Sequence, residues 1–140
     1  MVIIVKDEKI MQSKLRSFHE SFSHPVDKEY SRSSKDADGF PIIGDLEKLR
    51  IDLIFEEFEE VMDALNNDKN AEDILKELCD LVYVCIGFAD TFGWDFDTAF
   101  NRVHESNMSK LGKNGEPIYR DDGKILKSDQ YKEPILKDLV

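Results

Sequence analysis

The sequence contains no apolar run near the roughly 20 residues that a membrane span requires, and no basic-then-apolar stretch follows Met1. A membrane protein or a secreted one is not expected, and the chain is read as cytoplasmic. Cysteine is scarce: only Cys79 and Cys85 occur, six apart inside an apolar segment. That spacing is neither CxxC nor a disulfide framework, so buried free thiols are expected. Bases are outnumbered, 19 against 30 acids, giving a formal net charge of −11. Such a balance argues against a groove that follows a nucleic-acid backbone, and a polyanionic substrate would need metal ions as intermediaries. Histidine is also scarce, and the residues three before His19, His24 and His104 are Arg16, Ser21 and Asn101. The ExxH pattern of di-iron helical bundles is therefore missing.

What is present is helical. The 140 residues are 41% hydrophobic and 35% charged, which suits one domain with one core. Met11, Leu15, Phe18 and Phe22 recur at helical spacing and predict a first helix that stops before His24-Pro25. Residues 23 to about 43 read as a polar loop. Gly44-Asp45 offers a start for a second helix over about 45–65, with Leu46, Leu49, Leu53, Val61 and Leu65 as its stripe. A third helix is predicted from Asn70 to Phe92, with Gly93 placed to stop it. It is apolar nearly all round from Leu78 onward, so it should be central. Asp95 or Asp97 caps a fourth helix reaching Met108, and turn signals on either side of Ile118-Tyr119 suggest a short hairpin. The expected architecture is an all-α bundle of four to five helices, core about 8–110, followed by an extended segment 111–140, the whole chain forming a single domain.

The second helix carries Glu56, Glu57 and Glu60 within about 60° of a common direction. A solvated acidic face is the plain alternative, but such a face normally places bases at i+4. Here Glu56 meets Glu60, Glu57 meets Val61 and Glu59 meets Asp63. Like charges at that spacing cost roughly 0.2–0.5 kcal/mol each, so something else should compensate them. On the third helix Glu77 and Asp80 project side by side among Ile74, Leu78, Leu81 and Val84. A carboxylate facing a core is costly unless paired or metal-bound, and Arg50, Lys76 and Arg102 are the possible ionic partners. If the two helices pair across the short link at 66–70, their acids meet. An all-oxygen site of that kind favours Mg²⁺ or Mn²⁺ over Zn²⁺.

At the end of the fourth helix His104-Glu-Ser-Asn-Met-Ser-Lys110-Leu-Gly-Lys113 supplies hydroxyls, an amide and two ammonium groups, a candidate contact for phosphate oxygens or sugar. Gly123-Lys124 and Lys127 form a second basic patch. An ordinary helix C-terminus and a polar loop are the plainer readings of these two segments.

Together these residues resemble the MazG-like, all-α nucleoside triphosphate pyrophosphohydrolase superfamily, in the branch named for phosphoribosyl-ATP pyrophosphohydrolase. Glu56-Glu-Phe-Glu-Glu60 matches the family's EExxE and Glu77-Leu-Cys-Asp80 its ExxD. Phe18-His19, Arg50, Tyr83, Ser106-Asn-Met-Ser-Lys110 and Gly123-Lys124-Ile-Leu-Lys127 also look like that branch, across about residues 10–131. The resemblance implies a homodimer or homotetramer that cuts nucleoside triphosphates into monophosphate and pyrophosphate with Mg²⁺, for which Mn²⁺ could substitute. It implies Glu57, Glu60, Glu77 and Asp80 as metal ligands, and Glu56 as a further ligand or the base that deprotonates water. Asn107, Lys110, Lys124 and, if it faces the pocket, Arg50 would hold the nucleotide. House-cleaning of (d)NTPs is the expected role. The rival readings are phosphoribosyl-ATP pyrophosphohydrolase of histidine biosynthesis and a non-catalytic nucleotide-binding helical dimer.

Overall fold

A computed structural model describes residues 10–31 and 34–140. The start of the expected core near residue 8, and Ser33 of the expected loop, lie outside the described residues. Four helices carry the fold: α1 Ile10–Ser21, α2 Asp45–Asn66, α3 Ala71–Thr91 and α4 Phe96–Met108. A two-stranded antiparallel hairpin follows, β1 Ile118–Tyr119 against β2 Ile125–Leu126, and a 3₁₀ turn closes the chain at Lys137–Leu139. The fold is all-α with a small C-terminal hairpin, as expected. The chain forms two compact units, one running to Trp94 and one from Asp95 to Val140.

The helix ends follow local chemistry. Asn70 accepts from the Asp73 N–H at 2.9 Å and starts α3, and Asp95 accepts from the Thr98 N–H at 3.2 Å and starts α4. Gly93 ends the α3 turn at φ +70, where a side chain would also press on Asp27.

In the first unit α3 packs against both α2 and α1. Its C-terminal half is the buried part, with Ile86, Gly87, Ala89, Asp90 and Thr91 interior. The N-terminal half departs from the expected all-round burial, since Leu78 and Val82 are each 44% exposed. On α2 the buried residues are Glu47, Arg50, Val61 and Ala64, whereas Leu49 and Leu65 of the expected stripe are exposed. The two cysteines are free, but Cys79 is exposed and Cys85 only half-buried. Cys79 lies beside Leu75, Leu78 and Val82 on α3, all of them exposed, and with Leu78 and Val82 it lines an apolar cleft against Met11 and Leu15 of α1.

A polar network lies inside this unit. Asp90 accepts from Arg16 Nε at 3.0 Å and faces His19 Nδ1 at 2.9 Å, so His19 carries its proton on Nδ1. Arg16 reaches on to Asp27 with both terminal nitrogens, at 2.9 and 2.7 Å. Thr91 donates to the Gly87 carbonyl at 2.8 Å, which leaves its oxygen to accept from His24 Nε2 at 3.1 Å. Both imidazoles are held below the ordinary histidine value, first by desolvation.

In the second unit α4 is tied to the tail. Arg102 grips Asp138 at 2.6 and 3.0 Å and the Ile135 carbonyl at 2.9 Å.

Candidate metal centre

The link at residues 67–70 folds α3 back along α2 and brings their acids together. Glu57 and Glu60 of α2 and Glu77 of α3 each offer a carboxylate oxygen within 4.8 Å of the others. Glu57 Oε2 and Glu77 Oε2 are buried without a hydrogen-bond partner. Two orphaned carboxylate oxygens beside a third carboxylate are an electrostatic cost, which protonation or a bound cation would relieve. The strain registers in protonation. Desolvation, with Glu60, Asp80 and Glu77 adding repulsion, holds the Glu57 carboxyl above the ordinary glutamate value. Glu60 is also raised, first by sharing a hydrogen bond with Glu77 and then by the charge of Glu77.

Asp80 lies one turn beyond Glu77 and adds its charge to both α2 acids, while its own Oδ2 takes the Lys76 ammonium at 2.7 Å. Glu56 is exposed on α2, outside the three converging side chains. Glu60 and Glu77 also wall a groove of about 350 Å³ whose other polar sides are Asp63, Asn67, Lys69 and Asp73.

The remaining expected residues are placed within their own units. Arg50 is turned into the interior, 4% exposed, where Nη2 donates to the Val84 carbonyl at 3.1 Å and Nε finds no partner. Asn107 and Lys110 stand at the end of α4, exposed and half-buried respectively, and Lys124 is exposed in the hairpin turn. The two serines of the same segment are structural: Ser106 donates to the Lys132 carbonyl at 2.7 Å and Ser109 accepts from the Lys132 N–H at 2.9 Å.

Sequence reasoning weighed Lys76 only as an ion-pair partner and passed over the His19–Asp90 pair. An i, i+4 Lys–Asp spacing was a legible signal for Lys76. For Asp90 the signal was its being the only charge between Leu81 and Phe92.

The class that the fold and the cluster define is an all-α protein whose two paired helices share an oxygen-only carboxylate cluster. The chain belongs to the phosphoribosyl-ATP pyrophosphohydrolase family, whose pattern it matches over residues 15–107, and through it to the MazG-like superfamily. It is also similar to uncharacterized protein L479 of Acanthamoeba polyphaga mimivirus, 30% identical over 102 residues. That match covers 73% of this chain but only 36% of the viral protein's length. No helix among the described residues is long and apolar enough to cross a membrane.

Proposed function

We propose that this member of the pyrophosphohydrolase family is a Mg²⁺-dependent nucleoside triphosphate pyrophosphohydrolase acting on the (d)NTP pool. The observation that carries this reading is the meeting of Glu57, Glu60 and Glu77 with two oxygens orphaned. The donor set fits a hard cation, because it is all oxygen, anionic and lacks nitrogen or sulfur. Glu57, Glu60, Glu77 and Asp80 would hold Mg²⁺, with Mn²⁺ as substitute. When bound, the ion supplies charge neutralisation on the polyphosphate.

In the reaction a water oxygen bonds to the α-phosphorus, the bond from that phosphorus to the α–β bridging oxygen breaks, and pyrophosphate leaves. Glu56, exposed beside the cluster, takes the water's proton or ligates a further ion. Asn107, Lys110 and Lys124 offer the amide and ammonium groups proposed to hold the nucleotide, whereas Arg50 is buried and has no such role. The groove beside Glu60 and Glu77, lined also by Asp63, Asn67, Lys69 and Asp73, offers acceptors and one ammonium for the hydroxyl- and amine-bearing end of a nucleotide. A homodimer or homotetramer is proposed on the exposed apolar faces of α2 and α3. Hydrolysis of phosphoribosyl-ATP itself is the second reading, favoured by the family's name.

The test is pyrophosphate release from the eight common NTPs and dNTPs and phosphoribosyl-ATP, with Mg²⁺ or Mn²⁺. Turnover of at least one is expected, and turnover of phosphoribosyl-ATP alone selects the second reading. No turnover of any overturns the enzyme reading for these substrates. Glu60→Gln and Asp80→Asn should each abolish activity with helicity intact, and retained activity would misplace the metal.

A further inference from the structure

Resting on that reading of the metal centre, we propose that Lys76 is the cluster's resident counter-cation, with which a divalent ion competes, and that it sets the metal concentration at which the site fills. The Lys76 ammonium lies 2.7 Å from Asp80 Oδ2 and 3.5 Å from Glu77 Oε1. Both carboxylates belong to the proposed ligand set, and Lys76 is the cation paired with them among the described residues.

An ammonium bonded at that distance and a divalent ion ligated at about 2.0–2.2 Å draw on the charge of the same two carboxylates and repel one another. Each therefore weakens the other's hold. The Lys76 side chain is 63% exposed, so its stem can carry the charge back into water at little cost. A single ammonium is an incomplete substitute, since it leaves Glu57 Oε2 and Glu77 Oε2 unpartnered. The site is thus held together before metal arrives by a cation weak enough to yield. Breaking an exposed ion pair of this kind corresponds to about a two- to fivefold change in a binding constant.

The experiment titrates Mn²⁺ alone into the full chain and follows the free-ion electron paramagnetic resonance signal, which is independent of turnover. Lys76→Met, which keeps the apolar stem, should bind Mn²⁺ two to five times more tightly than the unmodified protein. Lys76→Arg, which keeps the charge, should bind no more tightly than the unmodified protein. Thermal melting without metal supplies a second reading: Lys76→Met should melt lower than the unmodified protein and gain more from added Mn²⁺. Equal or weaker Mn²⁺ binding by Lys76→Met, or equal tightening by Lys76→Arg, overturns the role of Lys76 while leaving the metal centre standing. Failure of the unmodified protein to bind Mn²⁺ overturns the metal centre itself and this inference with it.

Discussion

Gly87 is the residue on which the interior of the first unit turns. A Cβ there would overlap Arg50 Nη2 and come within 3.4 Å of His19 Nε2, so the guanidinium passes where a side chain would otherwise be. Gly→Ala inside a helix ordinarily stabilises by about 1 kcal/mol. Here overpacking, which costs about 1–3 kcal/mol, should reverse the sign. Gly87→Ala is expected to lower the urea midpoint, and the loss should shrink when Arg50 is also replaced by Met. An equal loss in both backgrounds would place the strain somewhere other than Arg50. This contact was not legible in the sequence, because nothing local tells a mid-helix glycine what crosses it. Arg50 itself, expected to face a nucleotide if it faced the pocket, lies among buried groups instead. The meeting of Glu57, Glu60 and Glu77 was legible, because like charges at i+4 and acids inside an apolar helix are both costly without a cation.

At the scale of elements, helix boundaries were readable because caps and stops are local chemistry, and the interior face of α2 was not. An amphipathic reading assumes one apolar stripe, yet α2 turns polar and charged residues inward while Phe55, Phe58, Met62 and Leu65 stay 62, 50, 38 and 52% exposed. On α3, Leu75, Leu78 and Val82 form a further exposed row at i, i+3 and i+7. The buried charges on α2 are Glu47 and Arg50, outside the Glu57–Glu60–Glu77 cluster. The exposed apolar area is the physical case for self-association. Phe58→Glu or Leu78→Glu is therefore expected to convert a dimer or tetramer to smaller species with little change in helicity, read by light scattering after size exclusion. A monomeric unmodified protein at micromolar concentration would remove the case for association.

For the whole molecule, two sets of titrating groups in the first unit pull stability in opposite directions with pH. Glu57 and Glu60 are raised above the ordinary glutamate value of 4.5, so the folded chain holds those protons more tightly than the unfolded one. Their contribution is fully present below 4.5 and is lost as pH rises through their folded values. His19 and His24 are lowered from 6.5, so their contribution is present above 6.5 and is lost as pH falls toward their folded values. The background charge of −11 adds general repulsion at neutral pH but does not distinguish the two sets. Replacing both Glu57 and Glu60 by Gln removes only the carboxylate set. Without metal, that variant should melt above the unmodified protein at pH 7.5, and the difference should narrow as pH falls toward 4.5. Added Mg²⁺ should reverse the order at pH 7.5, because ligand binding stabilises only the protein that retains the site. Melting curves across pH, with and without Mg²⁺, check both statements. A constant gap at every pH would mean that the two glutamines act through packing, and a lower melting point at pH 7.5 without metal would mean that the cluster carries no stored repulsion for a cation to relieve.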